Sequence, residues 1–357
     1  MANRSRIVIA LSGGVDSTVA AALLVEQGYD VIGMMLRLWS EPGQEIDNRC
    51  CNPDSISAAR QAANSLNIPF YVIDSKKEFR KQVVDYFIDG YSQGITPNPC
   101  VVCNKKIRWG FLFEKAQQAG AEYMATGHYA RIVKNKYDEF SLLRGQDFKK
   151  DQSYVLHILS QTQLSKTKFP LGDLTKNQVR HLALKFNLPV FDREESQDLC
   201  FLGDDSYQSF LMRQTSYMKK PGIFVSRDGD EIGEHQGLAF YTIGQRKGLG
   251  ISASSPLYVL EKNISTNAII LGSRDELARK EFIVSEINWI SGLAPRTNFT
   301  CTVQTRYRSK VTPCFLKPLP SGEIQVTLIN PIPDITPGQA AVFYDGDTCL
   351  GGGIIQL

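Results

Sequence analysis

Residues 6–17 read Arg6-Ile7-Val8-Ile9-Ala10-Leu11-Ser12-Gly13-Gly14-Val15-Asp16-Ser17, and apolar character resumes in Thr18-Val19-Ala20-Ala21-Ala22-Leu23-Leu24. An apolar stretch, a break of small residues and a second apolar stretch predict a buried strand, a tight loop and a helix. Adjacent glycines lack Cβ atoms, so the loop amides can turn toward an anion, and the positive end of the following helix points at the same place. The loop therefore suits a phosphate group. It has neither the lysine nor the spacing of a Walker loop. That argues against a site built to hold and cleave off a γ-phosphate and for one that receives the pyrophosphate end of ATP during adenylation, with the Ser12 and Ser17 hydroxyls as added donors. The alternative is an ordinary strand-to-helix turn with Asp16 or Ser17 as its N-cap.

Composition sets the frame for this loop. With 357 residues, 43% of them hydrophobic and 22% charged, the chain is long enough for two or three domains with proper cores. No segment approaches the roughly 18 apolar residues needed to cross a bilayer, and the N-terminus runs straight into a strand instead of a signal peptide. The expectation is a cytoplasmic protein with no membrane partner. A net charge of +3 is too mild to decide on a nucleic-acid partner, so local basic clusters must carry that question. Eight cysteines without an export signal point to thiols, metal ligands or catalysts before structural disulfides.

Along the N-terminal half, strands alternate with helices. After the loop a helix to about Gln27 stops at Gly28, and a strand follows at Asp30–Leu36. A helix over Ile56–Leu66 leads to a strand at 68–73. A helix at 79–91 and another from Cys103 to Ala119 precede a strand at 122–126. This alternation predicts an α/β domain with a doubly wound parallel sheet and a site at the carboxyl ends of its strands.

Two further segments fall at that edge. Thr126-Gly127-His128-Tyr129-Ala130-Arg131 follows a strand, so Gly127 can let the backbone lie against an adenine or ribose while His128 projects toward the substrate; His128 as a satisfied structural histidine is the other reading. In Thr96-Pro97-Asn98-Pro99-Cys100-Val101-Val102-Cys103-Asn104 the prolines hold the chain extended before a helix, placing both thiols on its first turn, where the helix dipole favours thiolates. A third thiol, Cys200, lies in Glu194-Glu195-Ser196-Gln197-Asp198-Leu199-Cys200-Phe201 after a helix near 176–186 and a short strand at Leu188–Phe191. A redox pair or half a zinc site competes for the C-x-x-C, although no second C-x-x-C or H-x-x-x-H supplies the remaining ligands.

The Ser12–Ser17 string resembles the pyrophosphate loop of the adenine-nucleotide hydrolase superfamily. More of the chain resembles the tRNA-specific 2-thiouridylases, enzymes that replace the 2-oxygen of the wobble uridine with sulfur. The matching strings are Ala10–Ser17, Thr96–Pro99 through Cys103-Asn104, Ala125–Arg131, Lys150-Asp151-Gln152-Ser153-Tyr154, Ser196–Phe201, Tyr241–Gly250 and Arg306-Tyr307-Arg308.

The resemblance implies an ATP-binding set of Ala10, Leu11, Ser12, Gly13, Gly14, Val15, Asp16, Ser17, Leu36 and Gly127, with Mg2+ accompanying ATP. It implies Cys200 as the carrier of a persulfide from a sulfur-relay partner and Cys103 as the thiol that reduces it. Asn98, Pro99, Cys100 and His128 would meet the extruded uridine, and Lys150, Asp151, Gln152, Arg306, Tyr307 and Gln339 the tRNA. Some members carry an aspartate where this chain has Cys100. The trio Cys100, Cys103 and Cys200 therefore also fits forms proposed to hold an iron-sulfur cluster with one open iron. Basic side chains at Lys105, Lys106, Arg108, Lys149, Lys150, Arg306 and Arg308 either face one tRNA groove or are solvated. An ATP-dependent ligase or amidotransferase using the same loop on a carboxylate, and a non-catalytic RNA-binding or sulfur-carrier protein, are the competing function classes.

From about Pro221 the pattern becomes strands and turns: Gly222–Val225, a turn at Arg227–Asp230, then Leu238–Tyr241. Gly244–Gly250 reads as an exposed turn or an RNA-facing loop. A boundary is expected at Leu271–Glu276. Phe299–Arg308 alternates with period two, Phe299, Cys301 and Val303 on one face and Gln304, Arg306 and Arg308 on the other. The expected domains are a catalytic domain at 1–210, a β-rich central domain at 211–274 and a small β-barrel at 275–357, with Cys301, Cys314 and Cys349 as core residues.

Overall fold

The computed structural model describes residues 4–43, 52–189, 199–203, 205–215, 218–333 and 335–356. Cys50, Cys51, Val190, Phe191 and the Glu194–Asp198 part of the third thiol motif lie outside the described residues. The strands are β1 (Arg6–Ala10), β2 (Asp30–Arg37), β3 (Phe70–Asp74), β4 (Tyr123–Ala125), β5 (Ala130–Lys134), β6 (Phe140–Arg144), β7 (Thr167–Lys168), β8 (Gly222–Val225), β9 (Glu231–His235), β10 (Tyr258–Asn263), β11 (Ala268–Gly272), β12 (Arg279–Trp289), β13 (Phe299–Gln304), β14 (Thr312–Pro318), β15 (Ile324–Ile332), β16 (Ala340–Asp345) and β17 (Thr348–Gln356).

Ile7, Val8 and Ile9 are fully buried because β1 is covered on both faces. Ile7 and Ile9 meet helices α1 (Val15–Glu26) and α2 (Pro53–Ser65) and the helix Lys176–Lys185. Val8 points the other way, toward Trp109, Leu112 and Tyr154. Each large apolar side chain buried in this way contributes about 1.5–3 kcal/mol. The strand order is β3-β2-β1-β4-β7, with parallel pairs throughout. The sheet is doubly wound as expected. The chain leaves β1 toward β2 and returns on the other side at β4, so the loops after β1 and β4 flank the point where the strand order reverses, which is where such sheets bind ligands.

The helical segments run longer than the periodicity predicted. Asn52 caps α2 by accepting from the Ser55 amide at 2.8 Å, and Pro53 opens the helix. The segments 76–92 and 99–118 are each continuous through a π-helical stretch, Arg80–Val84 and Cys103–Leu112. The Leu188–Phe191 strand is corrected where it can be seen: Leu188 folds back into the core over the preceding helix and Pro189 sits in a turn.

The central sheet has order β10-β11-β8-β9, with β8 and β11 parallel. Leu238–Phe240 is a 3-10 turn, not a strand. Its side chains and Tyr241 plug a core shared with Phe79, Phe87 and Phe201, so their apolar character serves packing between domains.

Strands β12-β15-β14-β13-β16-β17 close into a six-stranded barrel through the β12–β17 pairing. The period-two reading holds only to Gln304: a turn closed by the Ser309 amide on the Arg306 carbonyl follows, and Arg308 takes φ 66°. Cys314 is buried in the barrel core, its sulfur 3.6 Å from that of Cys301, whereas Cys349 on β17 is buried against the N-terminal half. The β5–β6 hairpin pairs antiparallel with β17, so a piece of the N-terminal half extends the barrel sheet. No helix among the described residues is long and apolar enough to cross a membrane.

His157 is buried at this junction. Its Nδ1–H donates to the Tyr154 carbonyl at 2.7 Å, and its own carbonyl accepts from Asn288 at 2.6 Å. Burial, aided by Lys105, pushes its pKa from 6.5 down to about 4. The folded protein keeps the ring neutral while the unfolded chain takes up a proton, so stability falls as pH drops from about 6.5 toward about 4, by roughly 3 kcal/mol. Urea unfolding at pH 7 and pH 4.5 should show a smaller pH effect in His157→Gln than in the wild type. Equal losses in both would remove His157 as the cause.

Candidate active site

The phosphate loop is built around its own serines. The Ser12 amide donates to Ser17 Oγ at 3.1 Å, the two hydroxyls meet at 3.1 Å, and Ser17 Oγ donates to the Gly14 carbonyl at 3.1 Å. Ser17 is buried and braces the loop, while Ser12 is exposed. Of the two expected hydroxyl donors, Ser12 alone faces outward. Gly14, not Asp16 or Ser17, is the N-cap of α1, and among the described residues no side chain caps that end. The first-turn amides are thus left for an incoming anion. Ala10 is half-buried, whereas Leu11 and Val15 point into the core, so any ligand contact from those two is through backbone.

Asp16 is held from two sides. Its carboxylate accepts from Lys176 Nζ at 2.7 and 2.9 Å and from the Tyr129 hydroxyl at 2.7 Å. Lys176 escaped the sequence reading because it lies 160 residues away. Gly127 lies against the loop: a Cβ there would stand 2.9 Å from the Asp16 carbonyl carbon and the Ser17 nitrogen. The loops after β1 and β4 therefore touch backbone to backbone, with Leu36, half-buried near the carboxyl end of β2, on the adjacent strand.

His128 is buried rather than projecting. An arginine only donates, so the 3.4 Å contact from Arg108 fixes Nε2 as an acceptor and Nδ1–H as the donor to Thr126 Oγ1 at 2.6 Å. Burial, then Arg108, hold its pKa well below 6.5. The ring lies against Trp109 and Phe169. A neutral His128 orients Arg108, which also donates to buried Asn104 at 2.8 Å.

Asn98 caps the helix that starts at Pro99, accepting from the Val101 amide at 3.3 Å. Cys100 is in its first turn. Cys103 is one turn deeper, which corrects the expectation that both thiols share the first turn. Cys100 is exposed near the Tyr154 and Tyr307 phenols, whose pKa values burial raises and a Cys100 thiolate would raise further. Cys103 and Cys200 are half-buried and pack against one apolar core with Phe79, Phe87 and Phe201. Among the described residues no three Cys, His, Asp or Glu side chains gather as a metal site. The three cysteines do not form a ready-made cluster site.

The barrel grips this loop. Gln339 Nε2 donates to the Thr96 and Pro97 carbonyls at 3.0 and 3.3 Å, and its Oε1 accepts from Asn98 at 3.4 Å. Asp151, also expected at the surface, is buried: it pairs with Arg144 at 2.9 Å and accepts from the Gly145 and Ser153 amides. Gln152 accepts from the Tyr129 amide at 3.0 Å. Arg306 reaches the Ile243 carbonyl and Thr336 Oγ1, tying central sheet to barrel. Lys105, Lys106, Lys149, Tyr307 and Arg308 are exposed, and Lys150 is half-buried.

The two loop glycines separate fold from ligand space. Gly13 has φ 77°, which strains any L-residue, whereas a Cβ on Gly14 would meet only Ser12 Oγ at 3.6 Å. Gly13→Ala should lower the melting temperature. Gly14→Ala should melt like the wild type yet bind ATP at least tenfold more weakly by calorimetric titration. Wild-type ATP affinity in Gly14→Ala would place the phosphates elsewhere.

Three domain-family models match the chain: a "tRNA methyl transferase HUP domain" over residues 5–204, a "tRNA methyl transferase PRC-barrel domain" over 208–273 and an "aminomethyltransferase beta-barrel domain" over 279–355. Curated relatives match almost end to end and carry a different reaction in their names. The tRNA-specific 2-thiouridylase of Caldanaerobacter subterraneus subsp. tengcongensis is 45% identical across 99% of this chain and 98% of that protein. Those of Carboxydothermus hydrogenoformans, 43% identical across 99% and 98%, and of Chloroflexus aurantiacus, 44% identical across 98% and 98%, agree. At this identity over the full set of domains, the chain belongs to the tRNA-specific 2-thiouridylase family.

Proposed function

We propose that this chain replaces the 2-oxygen of the wobble uridine of tRNA with sulfur, using ATP. The observation that carries the reading is the placement of Cys103 and Cys200 on one apolar core, which Leu36 of β2 also borders, in a chain whose phosphate-loop helix starts at a glycine with no capping side chain. Uracil O2 is a poor leaving group. With adenosine between Leu36 and Gly127 and the phosphates on Ser12–Ser17, O2 attacks the α-phosphorus and the bond to pyrophosphate breaks. Oxygen is now part of AMP, a competent leaving group. Mg2+ would travel on the phosphates instead of in a protein cage.

Sulfur arrives as a persulfide on Cys200, loaded by a sulfur-donor protein. Its terminal sulfur attacks C2 and AMP departs with the original oxygen. The Cys103 thiolate then attacks the Cys200 sulfur; the S–S bond breaks, its electron pair stays on the sulfur bound to C2, and a Cys103–Cys200 disulfide closes. Alternatively the same attack liberates hydrosulfide first, which then displaces AMP. Either route consumes two electrons from an external dithiol that reopens the disulfide. Cys100, Asn98 and Tyr307 are the groups near enough to the thiol loop to line a pocket for an extruded base. Exposed Lys105, Lys106, Lys149 and Arg308 supply phosphate contacts.

Cys103→Ser and Cys200→Ser should each release pyrophosphate on unmodified tRNA while forming no thiolated product on an organomercury gel. Product at the wild-type rate from either variant removes that cysteine from sulfur transfer. A carboxylate ligase would release pyrophosphate without tRNA, which this reading forbids.

A further inference from the structure

The phosphate loop has no lysine of its own, yet an ammonium group stands on it. Lys176 occupies the first position of the helix Lys176–Lys185, and its side chain crosses to Asp16, the second residue of α1. Three features of this placement run against local preference. A cation at a helix N-terminus opposes the helix dipole, which favours acids there. The first turn of this helix contains no acidic residue. Lys176 is also 8% exposed, and removing an ammonium from water is costly even when it is paired. The helix needs no lysine at that position for its own sake: the reciprocal Thr175–Gln178 box caps it, and Asp147 accepts from the Lys176 amide at 3.0 Å. Where local rules are broken in this way, a function is the usual reason.

The surroundings indicate what that function is. Two helix N-termini, those of α1 and of the Lys176 helix, converge on one carboxylate. That carboxylate is shared between Lys176, at 2.7 and 2.9 Å, and the Tyr129 hydroxyl, at 2.7 Å. A polyphosphate entering the uncapped end of α1 brings several more negative charges to the same place. Its oxygens compete with Asp16 for the ammonium, and an Asp16 left unneutralised would repel them.

We propose that Lys176 is the phosphate-binding lysine of this site, supplied from the far end of the domain in place of a loop lysine. In the nucleotide-free protein Asp16 and Tyr129 hold it ready. With ATP bound, its ammonium contacts the β- and γ-phosphates, and it stabilises pyrophosphate as that group leaves. This assignment rests on the adenylation reading above.

The test is binding of inorganic pyrophosphate and of ATP to the full-length chain by titration calorimetry, with melting temperature recorded for each variant. Lys176→Met should weaken both ligands at least tenfold, and Lys176→Arg should restore part of the loss. Because Lys176→Met strands a carboxylate, the comparison is repeated in Asp16→Asn, where no carboxylate is left to strand. The loss on adding Lys176→Met should persist there. Pyrophosphate affinity within twofold of the parent in either background overturns the assignment and leaves the adenylation reading standing. The same holds if the double variant binds like Asp16→Asn, because Lys176 would then act only through Asp16. A wild-type chain that binds neither ligand would overturn the adenylation reading and the assignment together.

Discussion

The loop after β4 lies on the loop after β1 with no side chain between them. Gly127 makes that approach possible, since any Cβ would collide with the Asp16–Ser17 backbone. Most of the site follows from it. Thr126 and His128 are brought under Arg108, Tyr129 is carried to Asp16, and the phosphate loop is pinned against a strand of the same sheet. Both loops sit where the strand order reverses, so the sheet itself opens a crevice for the ligand that they share.

The second constraint is that the thiol loop does not stand alone. Its extended Thr96–Asn98 stretch is held by the barrel through Gln339 and the Pro337 carbonyl, and the following helix rests on a core that the N-terminal helices share with the central sheet. The Arg144–Asp151 pair, stacked on Tyr344, fastens the hairpin to the barrel from the other side. Residues that look like tRNA contacts in the sequence are thus spent on fixing domains relative to one another. That arrangement fixes the thiol loop relative to the barrel, because the barrel and the catalytic sheet cannot shift independently without breaking buried polar pairs.

The α/β half was legible because β1 carries an unbroken apolar run and the loop after it a string of small residues with one purpose. The barrel was legible from alternation in Phe299–Gln304, but alternation cannot tell where a strand stops, and the turn at 306–309 was lost for that reason. Leu238–Phe240 looked like a strand because apolar residues that plug an interface and apolar residues in a sheet have the same composition. The roles of His128, Asp151 and Lys176 were hidden for another reason. Each depends on a partner from 20 to 191 residues distant along the bond that reaches it, Arg108, Tyr344 through Ser153, and Asp16 respectively. Motif spacing carries no information about such pairs. The only local sign at Lys176 was a cation where a helix start prefers an acid.

The central claim is that the uridine oxygen itself becomes part of AMP. The most direct test is turnover of a tRNA whose wobble uridine carries oxygen-18 at position 2, with mass spectrometry of the nucleotide released. The account predicts AMP heavier by one oxygen-18, in amounts equal to the thiolated tRNA formed. Unlabelled AMP alongside thiolated tRNA would contradict it, because ATP would then be activating some group other than the base.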